Sequence, residues 1–174
     1  MSDELTALLA RVERLESREA CVSTFNEYLH YLDGDYLDDL LQVFAPSAEL
    51  NVMNFPPGSG KDLRFKGRDE IRPLYAEHRA GIGRHHSANV TVNVSADSSS
   101  AELSAYFITS GEFGFGGGVY QAELAPAQAR WEFQKMYICS TWGWTVPTEA
   151  QPYLSEHLGE GALRGGKPIV YRRS

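Results

Sequence analysis

The sequence predicts an α+β fold: a cone-shaped, curved antiparallel β-sheet wrapped around N-terminal helices. Three observations carry this expectation. Helical periodicity runs through the first forty or so residues, while alternation with a period of two dominates from Arg84 onward. One further helix is inserted between an early strand and the later ones, and the later strands are joined by short turns.

Taken in order, Leu5, Leu8, Leu9, Val12 and Leu15 share one face of a helix whose pattern extends to Leu32 and leaves room for a bend near Ser17. Asp35 follows Gly34 and is placed to cap a short helix, Tyr36 to Phe44, with Asp38 and Asp39 in its favourable first turn. Ala48 to Asn54 reads as a strand and Pro56 to Lys61 as a loop. The Gly58-Ser59-Gly60-Lys61 run lacks the spacing of a phosphate-binding loop, and Asp62 stands where Ser or Thr would hold magnesium. Lys66 to Glu70 opens a helix ending near Ala80, with His78 expected as a rim or core histidine. Strands are then expected over 86–96, 101–113, 119–125 and 130–141, with Gly116-Gly117-Gly118 marking a bulge or a tight backbone approach. The last strand is apolar on both faces, which points to an oligomer interface. Residues 1–142 form the expected domain, and the irregular tail 143–174 is expected to cover a pocket mouth or reach a neighbouring subunit.

One acid is out of place. Phe25, Leu29 and Asp33 are spaced i, i+4, i+8, which carries Asp33 onto the apolar face of the first helix, near its C-terminus, where the helix dipole disfavours negative charge. Such a residue needs a partner. In the strand beginning Arg84-His85-His86, unbroken alternation puts His86 with Ala88, Val90, Val92 and Val94 on the apolar side and turns His85 outward. An inward Asp33 and an inward His86 are the parts of an acid/base dyad, in which the carboxylate orients the imidazole. The alternative is a buried polar pair that serves the core alone. Adjacent His85 and His86 face opposite ways, so no metal site is expected there.

Bulk properties exclude some partners. The 174 residues, 43% hydrophobic and 22% charged, suit one globular domain. A formal net charge of −7 argues against nucleic acid and anionic membrane surfaces. The acidic N-terminus and the lack of any long apolar run predict a cytoplasmic protein without a membrane span. Cys21 and Cys139 read as small apolar packing residues.

Tyr28 to Asp35, Phe44-Ala45-Pro46, Lys66 to Ile71, His86 to Val94 and Trp131-Glu132-Phe133 together resemble the SnoaL-like branch of the nuclear-transport-factor-type α+β barrels. Within it the chain is similar to the group of scytalone dehydratase, bile-acid 7α-dehydratase and hexachlorocyclohexane dehydrochlorinase. The resemblance implies a cofactor-free enzyme with its Asp and His at Asp33 and His86, Tyr28 as a pocket hydroxyl, and a homo-oligomer, a trimer rather than a dimer. Members of that group carry an arginine on the last strand; the matching positions here are Met136 or Ser140, which implies a more apolar substrate-binding pocket.

The expected function is therefore that of a cofactor-independent lyase of the dehydratase type, or an isomerase, in which His86 removes a proton from a small, mostly apolar cyclic substrate. Tyr28, helped by Tyr31, would hydrogen-bond a carbonyl or leaving hydroxyl. Two other readings stand beside it: a non-catalytic binding protein of the same fold, and the structural β subunit of a ring-hydroxylating dioxygenase.

Overall fold

The computed structural model describes residues 3–55, 58–77, 84–111 and 114–145. Helix α1 (Asp3–Gly34) is followed by α2 (Leu37–Gln42), β1 (Phe44–Met53), β2 (Leu63–Lys66), α3 (Arg68–Ala76), β3 (Arg84–Val94), β4 (Ala101–Gly111), β5 (Gly114–Pro126) and β6 (Trp131–Thr145). The strands form one six-stranded sheet in the order β2-β1-β6-β5-β4-β3, which leaves β3 and β2 at its edges. The α+β expectation holds, with one correction to the all-antiparallel sheet. β1 and β6 pair in parallel, Leu50 opposite Met136 and Val52 opposite Ile138. No hairpin joins these two strands, and the rest of the sheet lies between them in sequence, so nothing forces them to reverse.

α1 is one continuous helix, and its buried face begins only at Ser17, followed by Cys21, Thr24, Phe25, Tyr28, Leu29, Leu32 and Asp33. The helix ends because Asp35 adopts φ 60°, and the Tyr36 N–H returns to the Tyr31 carbonyl at 3.0 Å, the αL termination that satisfies an orphan carbonyl. Tyr28 is the hub of the core: its ring meets Phe25, Phe44, Tyr75, Tyr120 and Phe133 at centroid distances of 5.9–6.4 Å, mostly edge to face.

Two bulges change which residues face that core. In β3, Ala88 pairs with Tyr106 but Thr91 with Ser104, so two residues oppose one, and Asn89 sits at φ 53°. In β6, Phe133 pairs with Leu124 but Lys135 with Glu123, leaving Gln134 as the extra residue. Phe133 and Met136 consequently share the inner face. The apolar character of β6 on both apparent faces is thus largely one face interrupted by a bulge, and it no longer argues by itself for an interface.

Some elements differ in extent. β1 begins at Phe44, where the short helix was expected to end, and the Phe133 N–H donates to the Val43 carbonyl at 2.9 Å. The four-residue β2 was not anticipated, and β6 continues to Thr145. The loop after β1 is an ordinary hairpin connection: Asn54 Oδ1 accepts from the Gly58 and Gly60 N–H groups, and its Nδ2 donates to the Ser140 carbonyl at 2.7 Å. The triple glycine is a tight approach, as expected. A Cβ on Gly117 would lie 2.7 Å from the Trp142 indole, and one on Gly118 would collide with the Cys139 carbonyl oxygen. His78 and the tail from residue 146 lie outside the described residues.

Candidate functional site

Asp33 does lie on the inner face of α1, buried, and it does meet a histidine. The histidine is His85. Asp33 Oδ1 lies 2.7 Å from His85 Nδ1, and Oδ2 accepts the His85 backbone N–H at 3.0 Å. Each side chain is only 10% exposed. His86, which unbroken alternation placed inward, is exposed on the opposite face. The bulge at Asn89 is the reason: the extra residue moves the strand out of phase, so that Val90, Val92 and Val94 face inward above it and His85 and Ser87 below it.

The geometry defines the chemistry of the pair. A carboxylate only accepts hydrogen bonds, so Nδ1 donates to Oδ1, and proton exchange with any other molecule falls to Nε2. β3 is a sheet edge among the described residues, and there Asp33 supplies the acceptor for the His85 N–H. Two bonds from one carboxylate to one residue fix the rotamers of both side chains. Asp33 is the one ionisable Asp, Glu, Lys or Arg side chain buried among the described residues, where the other buried polar side chains are Ser17, Thr24 and Ser140.

Beneath the pair lies a cluster of phenols. Tyr28 and Tyr75 share a hydrogen bond of 3.1 Å between hydroxyls, in which either can donate. Burial, then the neighbouring Tyr75, hold the Tyr28 phenol well above its ordinary range, with Asp33 adding a smaller push. Burial and the nearby Tyr28 act likewise on Tyr120, which also feels Asp33, and burial raises Tyr75. These hydroxyls therefore stay neutral, and Tyr28 and Tyr120 lie near enough to feel the Asp33 charge.

A model of the SnoaL-like domain matches residues 13–137, which spans both partners of the pair and most of the sheet. The chain belongs to the SnoaL-like family. No curated protein matches it by sequence. Among solved structures, this SnoaL-like chain is similar to a protein assigned as a scytalone dehydratase from Novosphingobium aromaticivorans, with a TM-score of 0.67 and 16% identity over 79% of this chain and 93% of that one. It is similar to hexachlorocyclohexane dehydrochlorinase LinA-type3 from Novosphingobium barchaimii, with a TM-score of 0.64 and 19% identity over 79% and 95%. A protein assigned as the β subunit of an aromatic-ring-hydroxylating dioxygenase, also from N. aromaticivorans, matches with a TM-score of 0.59 and 10% identity over 74% and 92%. At these identities the likeness establishes a shared fold, one that serves in proteins named as enzymes and as a subunit alike.

The remaining expected site residues of the SnoaL-like domain are placed unevenly. Tyr28 is fully buried, its hydroxyl engaged with Tyr75. Tyr31 points away from the pair, two residues or about 200° round the helix from Asp33. It stands edge-on to Tyr36 and lines a cleft of only about 10 Å³, too small for a substrate. Met136 and Ser140 are both buried on the inner face of β6, and no Lys or Arg is buried among the described residues. Tyr75 and Tyr120 were missed. Their signals are faint: Tyr75 stands beside Ile71 and Leu74 on α3, and Tyr120 falls in the strand β5 with Ala122 and Leu124. No helix among the described residues is long and apolar enough to cross a membrane, and no three of their His, Cys, Asp and Glu side chains are grouped as a metal site requires.

Proposed function

We propose that this SnoaL-like protein is a cofactor-independent lyase of the dehydratase type, or an isomerase using the same first step, with Asp33 and His85 as its acid/base dyad. The 2.7 Å contact between Asp33 Oδ1 and His85 Nδ1, made by two side chains almost excluded from water, carries the reading. The substrate is a small, mostly apolar ring compound with an acidic C–H, because the buried surroundings offer aromatic and aliphatic walls and, among the described residues, no buried cation.

In the proposed reaction Nε2 of His85 takes the proton from carbon, and the electrons of that C–H bond form a C=C bond. A leaving group on the neighbouring carbon departs with its bonding pair; a hydroxide leaves as water after receiving a proton. In an isomerisation the proton returns to a different carbon and nothing leaves. Asp33 stabilises the imidazolium that forms in either case, and the neutral phenols near it supply a hydrogen-bonding floor. General base catalysis contributes roughly 10²–10⁴-fold, so orientation by the apolar walls must supply the rest of the acceleration.

The test is turnover of a panel of β-hydroxy ketones, cyclic hydroxy-enones and halogenated rings by wild type, Asp33→Asn, His85→Ala and His86→Ala. One substrate should be converted by wild type and by His86→Ala, with the rate falling at least about 100-fold in the two dyad variants while each stays folded. Loss of rate in His86→Ala, with His85→Ala active, would overturn the assignment of the base. Equal ligand binding by all four proteins with no turnover would replace the enzyme with a binding module, and stable co-purification with an iron–sulfur partner would replace it with a subunit.

A further inference from the structure

The N-terminal half of α1 carries an apolar stripe that stays exposed among the described residues. From Asp3 to Glu16 every residue is exposed except the half-buried Ala10, so this arm of roughly 20 Å stands clear of the core that begins at Ser17. Yet Leu8, Leu9, Val12 and Leu15 are 53%, 50%, 41% and 64% exposed, and Leu5 continues their spacing at 44%. At about 100° per residue, this stripe lies nearly opposite to the Cys21, Phe25, Tyr28 and Leu32 stripe that packs on the sheet. The stripe therefore points mostly away from the domain, and only toward its end does Leu15 border a hollow that Arg11, Arg14 and Arg18 form with Val92, Asn93 and Val94 of β3. A solvated helix of this length is marginal on propensity alone, and its apolar face normally has something packed on it.

The spacing names the occupant. Leu5, Leu8, Val12 and Leu15 stand 3, 4 and 3 residues apart, the a and d positions of two heptads. In that frame Arg11 falls at g and Glu16 at the e position of the next heptad. Parallel helices bring g of one chain beside the following e of the other, so two parallel copies of this arm place Arg11 of each against Glu16 of its neighbour. An antiparallel pair would instead set Arg11 and Arg18, both at g, against their counterparts. The charges flanking the stripe are complementary to themselves in one orientation only.

We propose that the arm Asp3–Glu16 is a self-association element, which joins copies of this chain through a short parallel coiled coil along Leu5, Leu8, Val12 and Leu15. The seam reaches the sheet only where Leu15 borders Val92, Asn93 and Val94, and it does not include Asp33 or His85, so assembly and the chemistry of the site are separable.

The full-length chain is tested by light scattering at micromolar concentration and by oxidative cross-linking. Wild type should associate, and Leu8→Cys, which brings two d positions together, should yield a covalent dimer. Ala7→Cys, on the outer side of the seam, and wild type with only Cys21 and Cys139 should not. Glu16→Arg should dissociate the assembly, and Arg11→Glu with Glu16→Arg should restore it, while circular dichroism and melting temperature show the domain intact. A monomeric wild type overturns the proposal. So does an assembly that survives Glu16→Arg or fails to cross-link at Leu8→Cys, because another surface would then hold it.

Discussion

Asp33 holds His85 with both carboxylate oxygens at once, one on the imidazole and one on the backbone N–H. The clamp predicts unequal consequences for two neighbouring histidines. His85→Ala removes a charge-assisted bond from a buried carboxylate and should cost about 1–3 kcal/mol, whereas His86→Ala, on the exposed face, should stay within about 0.5 kcal/mol of wild type. Urea denaturation of the two variants measures the contrast.

The bulge that sets this choice rests on Asn89 at φ 53°, a conformation Asn tolerates and β-branched residues resist. Asn89→Val should destabilise by about 1–2 kcal/mol and Asn89→Gly by much less. If the bulge is what turns His85 inward, Asn89→Val should also lower turnover in proportion to the altered orientation, which a comparison of kcat between the folded variants detects.

Asp35 ends α1 at φ 60°, where glycine carries no Cβ penalty. Asp35→Gly relieves a left-handed penalty of about 1–2 kcal/mol against an added chain-entropy cost of about 0.5–1 kcal/mol, so the melting temperature should rise slightly. Asp35→Ala, which keeps the penalty and loses the tolerance of Asp for this region, should lower it.

Burial raises Tyr28, Tyr75 and Tyr120 in the folded protein, while the unfolded chain releases the same phenolic protons near pH 10. Raised folded values mean that the unfolded state loses protons first, so their contribution to stability is intact below about pH 10 and declines above it. Burial also pushes the Cys21 thiol up from 9.0 to about 12, which starts the decline near pH 9. Denaturation midpoints measured across that range should fall, and absorbance of ionised tyrosine should show these three phenols silent until the chain unfolds.

The larger elements were legible because they repeat. Fifteen and more residues of helical spacing identified α1, and the placement of Asp33 on its inner face followed from i, i+4, i+8 spacing alone. The identity of its histidine did not follow. A period-two reading assumes that every residue advances the strand by one position, and a single extra residue reverses the faces beyond it. Asn89 was the available signal, a residue depleted in strands and tolerant of φ above zero, but it sat in a stretch where Asn93 also occurs without a bulge. Gln134 defeated the reading of β6 in the same way. The Tyr28, Tyr75 and Tyr120 cluster was illegible for another reason: it joins three elements distant in sequence, and nothing local marks a tyrosine whose hydroxyl points at two others.

The open edge of β3 gives the Asp33 carboxylate a second consequence. An edge strand with unsatisfied N–H groups is a template on which a strand from another molecule can dock. At His85 that place is already taken by a charged side chain from α1, which no incoming backbone displaces cheaply. Replacing Asp33 with an apolar residue would thus release the imidazole and, in the same stroke, remove a guard against aggregation, so that poor solubility and, under the proposed function, lost turnover would arise from one substitution.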